Sequence, residues 1–169
     1  MAFVKINGMK RHHVYNMPPF NTSQWYTSEA GSTQQSQGPF NDLTSARLRT
    51  YNNLWAWYNR YGAYLNSAGF KTANYKNITI NWTVKKGRYE TEMGTRVEFY
   101  GSNDGTNYTK FRQTQDYNCN AARNSFSFSY TTDISSYKYI KISVYYGQYN
   151  PEQNYNSSGE LIVSSIAFS

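Results

Sequence analysis

The chain has 169 residues, one cysteine (Cys119), and 18 tyrosines beside 9 phenylalanines and 4 tryptophans. That length fits one domain able to bury a core unaided, and a single thiol excludes an intramolecular disulfide framework. A formal charge of +7 favours solubility and attraction to anionic surfaces and says nothing of fold.

No apolar run approaches the roughly 20 residues that span a bilayer. The N-terminus, "MAFVKINGMKRHH", has no apolar signal core. We therefore expect a soluble protein not exported by a cleaved signal, and the initial Met fits a complete small reading frame. Aliphatic residues are sparse, so we expect a core resting on aromatic side chains.

Residues 2–15 read as a hairpin around "NG" at 7–8, a dipeptide suited to two central residues at positive φ. That register sets Ile6 opposite Met9 and Lys5 opposite Lys10. "NMPPF" at 16–20 breaks the pattern, since proline donates no ladder hydrogen bond. We take 1–20 as a basic arm and 21–169 as one domain. Residues 21–45 are polar and rich in turn formers. Within them "STQQSQGP" at 32–39 reads as an exposed loop, with Trp25 and Phe40 anchoring the segment to the body.

"YNNLWAWYNRYGAY" at 51–64 holds six aromatic residues in fourteen. As a strand it puts Trp55 and Trp57 on one face and Leu54, Ala56 and Tyr58 on the other. As a helical turn it groups Leu54, Trp57, Tyr58 and Tyr61. Packing and ligand contact both fit these rings.

From residue 76 the alternation has period two. Ile78, Ile80, Trp82 and Val84 share one face, as do Val97 and Phe99, then Phe126, Phe128 and Tyr130, then Ile140, Ile142, Val144 and Tyr146. The intervening Arg96, Glu98 and Tyr100, and Tyr139, Lys141, Ser143 and Tyr145, face the other way. "SNDG" at 102–105 is a turn with Gly105 at positive φ, and "ELIVSSIAFS" closes the chain as an apolar strand of unclear phase. Half-buried strands joined by turns, with no amphipathic helix, define an all-β sandwich or barrel.

"RVEFYGSNDGTNYTKF", "YKYIKISVYY", "GELIVSSIAF" and "GAYLNSAGFKTANYKNITINWTV" together resemble the discoidin-like, or coagulation-factor C-type, domains over about residues 25–169. The chain is also similar to small bacteriophage virion accessory proteins. The resemblance implies a jelly-roll β-sandwich of the galactose-binding-like type, with glycans or lipid head groups bound by loops at one end. Family members often hold a structural calcium ion. Here the nearest early acidic loop is "FNDLT" at 40–44, and Ser164 and Ser165 stand where the family's acidic residue is sought. No cofactor is therefore expected.

No nucleophile, base and orienting group are marked by a motif, so we expect no enzyme. His12 and His13 are adjacent and point to opposite faces of a strand. Nothing around Cys119 marks an activated thiol. Basic residues are scattered and no nucleic-acid motif occurs, which disfavours nucleic acid as a partner. A pyranose, in contrast, needs flat rings beside amide and guanidinium groups. Trp55, Trp57, Tyr58, Arg60 and Tyr61 supply these at 51–64, and Tyr149, Asn154 and Tyr155 supply them in the loop after residue 145.

We expect a non-enzymatic virion accessory protein of a bacteriophage, on capsid or tail. Phe3, Lys5, Lys10, Arg11 and His12 of the arm would dock it to other virion proteins. The sandwich would face host or mucosal glycans, with a homo-oligomer allowed and no membrane contact. The alternatives are a virion decoration protein without ligand and a carbohydrate-binding module of a secreted bacterial protein.

Overall fold

The structure is a computed structural model that describes residues 13–15, 25–30, 35–41, 46–51, 62–86, 93–119, 125–148 and 159–169. The strands in chain order are β1 (His13–Tyr15), β2 (Trp25–Ala30), β3 (Gln35–Asn41), β4 (Ala46–Tyr51), β5 (Gly62–Ser67), β6 (Phe70–Lys71) and β7 (Asn77–Lys86). They continue with β8 (Met93–Ser102), β9 (Thr109–Gln113), β10 (Tyr117–Asn118), β11 (Ser125–Asp133), β12 (Tyr139–Gln148) and β13 (Gly159–Phe168). No helix occurs among the described residues, and the class is all-β as expected.

The strands form two sheets. A six-stranded sheet runs β11-β7-β13-β4-β3 with β1 beside the far end of β13. A seven-stranded sheet runs β10-β8-β12-β5-β2, with β6 on β12 and β9 on β8. All strand pairings among the described residues are antiparallel. The expected turn at 7–8 lies outside the described residues. His13–Tyr15, counted with the arm from sequence, pairs with Ile166–Phe168.

The period-two reading places the core correctly. Ile78, Ile80, Trp82 and Val84 are buried from one sheet, and Val97, Phe99, Ile140, Ile142, Val144 and Tyr146 from the other. Burying each such side chain contributes about 1.5–3 kcal/mol. Trp25 is also buried, as its anchoring role requires. The core is shared: among the described residues Ile and Val are the most numerous buried side chains, leucine is scarce, and the five largest fully buried side chains are Trp25, Trp82, Tyr146, Phe99 and Phe168. Phe70, Tyr75, Phe111, Tyr117, Phe126, Phe128, Tyr130 and Tyr137 pack around it half-buried. β-Branched side chains suit a pleated interior, whereas a tyrosine hydroxyl is best kept within reach of a partner or water.

Two irregularities explain what the pattern hid. "STQQSQGP" is not all loop, because β3 takes in its last five residues. As an edge strand β3 tolerates Pro39, and the register shift between Gln37 and Phe40 absorbs the Gly-Pro step. In β13 the register shifts between Val163 and Ser165. Leu161 and Val163 therefore point inward before it, and Ile166 and Phe168 after it. The displaced Ser164 hydroxyl donates to the Asn81 carbonyl at 3.1 Å, and Asn81 Nδ2 donates to Ser165 Oγ at 2.6 Å.

The β8–β9 turn is built as read. Gly105 has φ 77°. Asp104 Oδ1 accepts from the Thr106 and Asn107 amides at 2.8 Å each and from the Ser102 hydroxyl at 2.8 Å. These bonds hold the Asp104 carboxyl well below the usual range, led by the Asn107 amide.

Candidate binding face

The outward parity of the seven-stranded sheet brings polar and aromatic side chains into rows. One row runs Ser28, Tyr64, Tyr145, Arg96 across β2, β5, β12 and β8. The next runs Tyr26, Asn66, Ser143, Glu98. A third runs Lys141, Tyr100, Lys110 across β12, β8 and β9. Neighbouring strands lie about 4.8 Å apart, so each row is a ladder of side chains in mutual reach.

Hydrogen bonds fix the middle row. Ser143 Oγ donates to Asn66 Oδ1 at 2.6 Å, and Asn66 Nδ2 donates to Ser28 Oγ at 2.9 Å. This leaves Asn66 one N–H and one acceptor site to offer. Where the β5 ladder ends, Ser67 Oγ accepts the Ile142 amide at 2.8 Å. The tyrosine ring of Tyr26 is 52% exposed at the rim.

Arg96 is the electrostatic centre of the face. Its guanidinium lies 4.4 Å from the Tyr145 ring centroid and 5.8 Å from that of Tyr64, and donates to Tyr64 Oη at 2.7 Å. The two rings stand 5.1 Å apart. Arg96 Nε donates to Glu98 Oε1 at 3.1 Å and Nη1 to Asp116 Oδ1 at 3.4 Å. Glu98, only 6% exposed on an outer face, also accepts from the Tyr100 hydroxyl and has Lys110 Nζ at 3.8 Å. Burial alone would raise the Glu98 carboxyl, but the bonds from Tyr100 and Arg96 and the charge of Lys110 bring it below its usual 4.5. Burial and the neighbouring carboxylate push the Tyr100 hydroxyl up. Burial pushes Tyr145 up to about 12. Both phenols are neutral donors at physiological pH.

A depressed Glu98 pKa contributes stability that is present above the unfolded value and lost as pH falls through the folded one. Glu98→Gln should therefore destabilise the protein more at pH 7 than at about pH 3, read as urea midpoints at each pH. An equal cost at both pH values would contradict the pairing.

A pocket of about 190 Å³ opens in this face, lined by Tyr26, Asn66, Ser67, Tyr100, Tyr108, Lys141, Ile142 and Ser143. Tyr108, from the β8–β9 connection, reaches across β12 to Gly69. The Tyr108 hydroxyl packs against Gly69, where an added Cβ would push the end of the ring aside. Lys141 Nζ sits 4.2 Å from the Tyr108 ring centroid.

Trp55, Trp57, Tyr58, Arg60, Tyr61, Tyr149, Asn154 and Tyr155 lie outside the described residues, as do Phe3, Lys5, Lys10, Arg11 and His12. The described residues flanking these two aromatic segments in sequence are nonetheless neighbours: Gly62 pairs with Gly147. That pair adjoins the row of Tyr64, Tyr145 and Arg96. Of the pocket residues only Lys141 and Ser143 were readable together, from the outward parity of Tyr-x-Lys-x-Ser-x-Tyr at 139–145. Among the described residues no cluster of three or more His, Cys, Asp or Glu could hold a metal ion, and no helix is long and apolar enough to cross a membrane.

No family model and no curated protein matches the sequence. Solved structures match the fold. A carbohydrate-binding module specific for non-crystalline cellulose, CBM28, aligns over 100% of this chain and 99% of its own at 10% identity and TM-score 0.52. A carbohydrate-binding module structure from the β-sandwich superfamily, described for promiscuous specificity, aligns over 94% and 61% at 9% identity and TM-score 0.56. The enzymatically active domain of tailspike protein 4 of bacteriophage CBA120 aligns over 92% of this chain at 14% identity and TM-score 0.55. The chain spans only 21% of that tailspike structure. The fold is thus an all-β, two-sheet jelly-roll sandwich like that of these carbohydrate-binding module structures.

Proposed function

We propose that this protein is a non-enzymatic carbohydrate-binding domain whose ligand lies on the outer face of the seven-stranded sheet. The observation that carries this reading is the three-row array. Tyrosine rings offer apolar faces to sugar C–H groups, while Asn66, Ser143 and Arg96 are held in place by bonds that leave further donors and acceptors. Trp55 and Trp57 stay in the proposal as further contacts, because Gly62 and Gly147, the described residues next to the two aromatic segments in sequence, pair with each other at one end of this face.

The biological setting we favour is a bacteriophage virion, with attachment to host or mucosal glycans and docking through residues 1–20. The sequence similarity to small bacteriophage virion accessory proteins and the tailspike fold likeness support it. A module of a secreted bacterial protein is the second reading, favoured by the end-to-end alignment with CBM28.

The test is a panel of cell-wall, mucin and plant glycans probed with wild type, Asn66→Ala and Tyr26→Ala. At least one glycan class should bind, and Asn66→Ala should weaken it about tenfold with the fold intact, the value of one net hydrogen bond. Binding by no glycan, or binding indifferent to both substitutions, would refute the proposed face.

A further inference from the structure

The charges on the face do not balance. Among the described residues its ion-paired carboxylates are Glu98 and Asp116, while Asp104 in the β8–β9 turn is held by hydrogen bonds from Ser102, Thr106 and Asn107 and forms no ion pair among them. Arg96 is paired with both, and Lys110 with Glu98. Lys141 is left over. It forms no ion pair among the described residues, and its ammonium rests over the Tyr108 ring at 4.2 Å. It is half-buried and lines the pocket together with Asn66, Ser143, Tyr26 and Tyr100.

We propose that this pocket takes an anionic sugar, one bearing a carboxylate or sulfate, with Lys141 as its counter-ion. The inference rests on the glycan-binding reading above and deepens it. A cation held against a ring is positioned before any ligand arrives. A neutral sugar covering Lys141 would strip water from the ammonium and return no charge. An anionic substituent returns a charge-assisted hydrogen bond. The ammonium is a compact charge with three donors and no planar preference, so it serves carboxylate and sulfate alike. Asn66 and Ser143 beside it offer partners for hydroxyls, which points to a sugar rather than to a bare anion.

Calorimetric titrations of the full chain at about 0.15 M salt decide the matter. The probes are a galacturonate trimer, a sulfated galactose trimer, a neutral β-1,4-galactose trimer and polyglutamate. The proteins are wild type, Lys141→Gln, Lys141→Arg and Lys76→Gln, the last an exposed lysine remote from the face. At least one acidic trimer should bind tenfold or more tighter than the neutral one. Lys141→Gln should erase that preference, while Lys141→Arg and Lys76→Gln keep it. The carboxylate and sulfate arms then show which substituent is preferred. Equal affinity for neutral and acidic trimers, or a preference that survives Lys141→Gln, overturns the inference and leaves the glycan reading standing. Polyglutamate bound as tightly and with the same Lys141 dependence also overturns it, since sugar chemistry would then play no part. Binding of no probe, with no glycan retained in the panel above, removes both.

Discussion

Trp82→Ala should cost about 3–5 kcal/mol, the usual range for deleting a buried aromatic side chain. Trp82 is 1% exposed and sits on β7, yet its contacts cross to the other sheet. Its indole N–H donates to Thr95 Oγ1 on β8 at 3.1 Å, and the Thr95 hydroxyl donates to the Tyr145 carbonyl at 2.6 Å. Its ring stacks on Phe128 at 5.3 Å and meets Tyr117 edge-on at 5.7 Å. Removal opens a cavity between the sheets and loosens the bond that holds the β12 backbone beneath Tyr145. Trp82→Phe should cost less, since a ring remains and Thr95 keeps its own acceptor. Urea unfolding measures both, with an unchanged m-value as the sign of a pure stability effect. A cost below about 1 kcal/mol for the alanine variant would deny Trp82 its place between the sheets.

Gly101→Ala is the second large effect. Gly101 lies on the inward parity of β8, opposite Ile140 and Thr109. A Cβ there would meet Cδ1, Cγ and Cδ2 of Tyr137 closer than the 3.0 Å that side chains respect. These are the atoms at the root of the ring, so a small swing of the hydroxyl end gives no relief. The ring is itself packed on Phe111 at 4.5 Å, and the Tyr137 amide is bonded to the Ile134 carbonyl at 3.0 Å. Overpacking of this kind costs about 1–3 kcal/mol or more. Combining Gly101→Ala with Tyr137→Ala should cost clearly less than the sum of the two, because the second removes the clash. Strict additivity would show that the ring and the glycine do not touch.

The fold was largely legible because four long strands keep strict alternation. β7, β8, β11 and β12 show their inward residues by parity alone, and Gly105 showed its turn by residue type. β13 concealed its phase because one bulged serine moves the apolar positions from odd to even. β3 was hidden by Gly38 and Pro39, residues an edge strand accepts and a central strand would not. The aromatic count was half informative: Trp25, Trp82, Phe99, Tyr146 and Phe168 are the largest buried side chains, Ile and Val fill the space between them, and most described tyrosines sit half-buried at the rim or on the outer face. The face itself is a different case. Tyr64, Tyr145 and Arg96 come from three strands far apart in sequence, and only the register makes them neighbours. The segments at 51–64 and 145–160 stand out in sequence because their composition is conspicuous, whereas residues gathered from alternate strand positions leave no contiguous motif. The buried Glu98 had no sequence signal at all; its burial follows from Arg96, Tyr100 and Lys110 closing over it.

The most direct test of the central claim is to map a bound glycan by NMR chemical-shift changes on labelled protein. The prediction is a contiguous set of changes at Tyr64, Asn66, Arg96, Tyr100, Lys141, Ser143 and Tyr145. The hydroxyl-rich outer face of the other sheet, where Thr79 bonds Thr131 and Thr83 bonds Ser127, should stay unmoved. Changes centred on Thr79, Asn81 and Thr83, with the tyrosine face silent, would contradict the account.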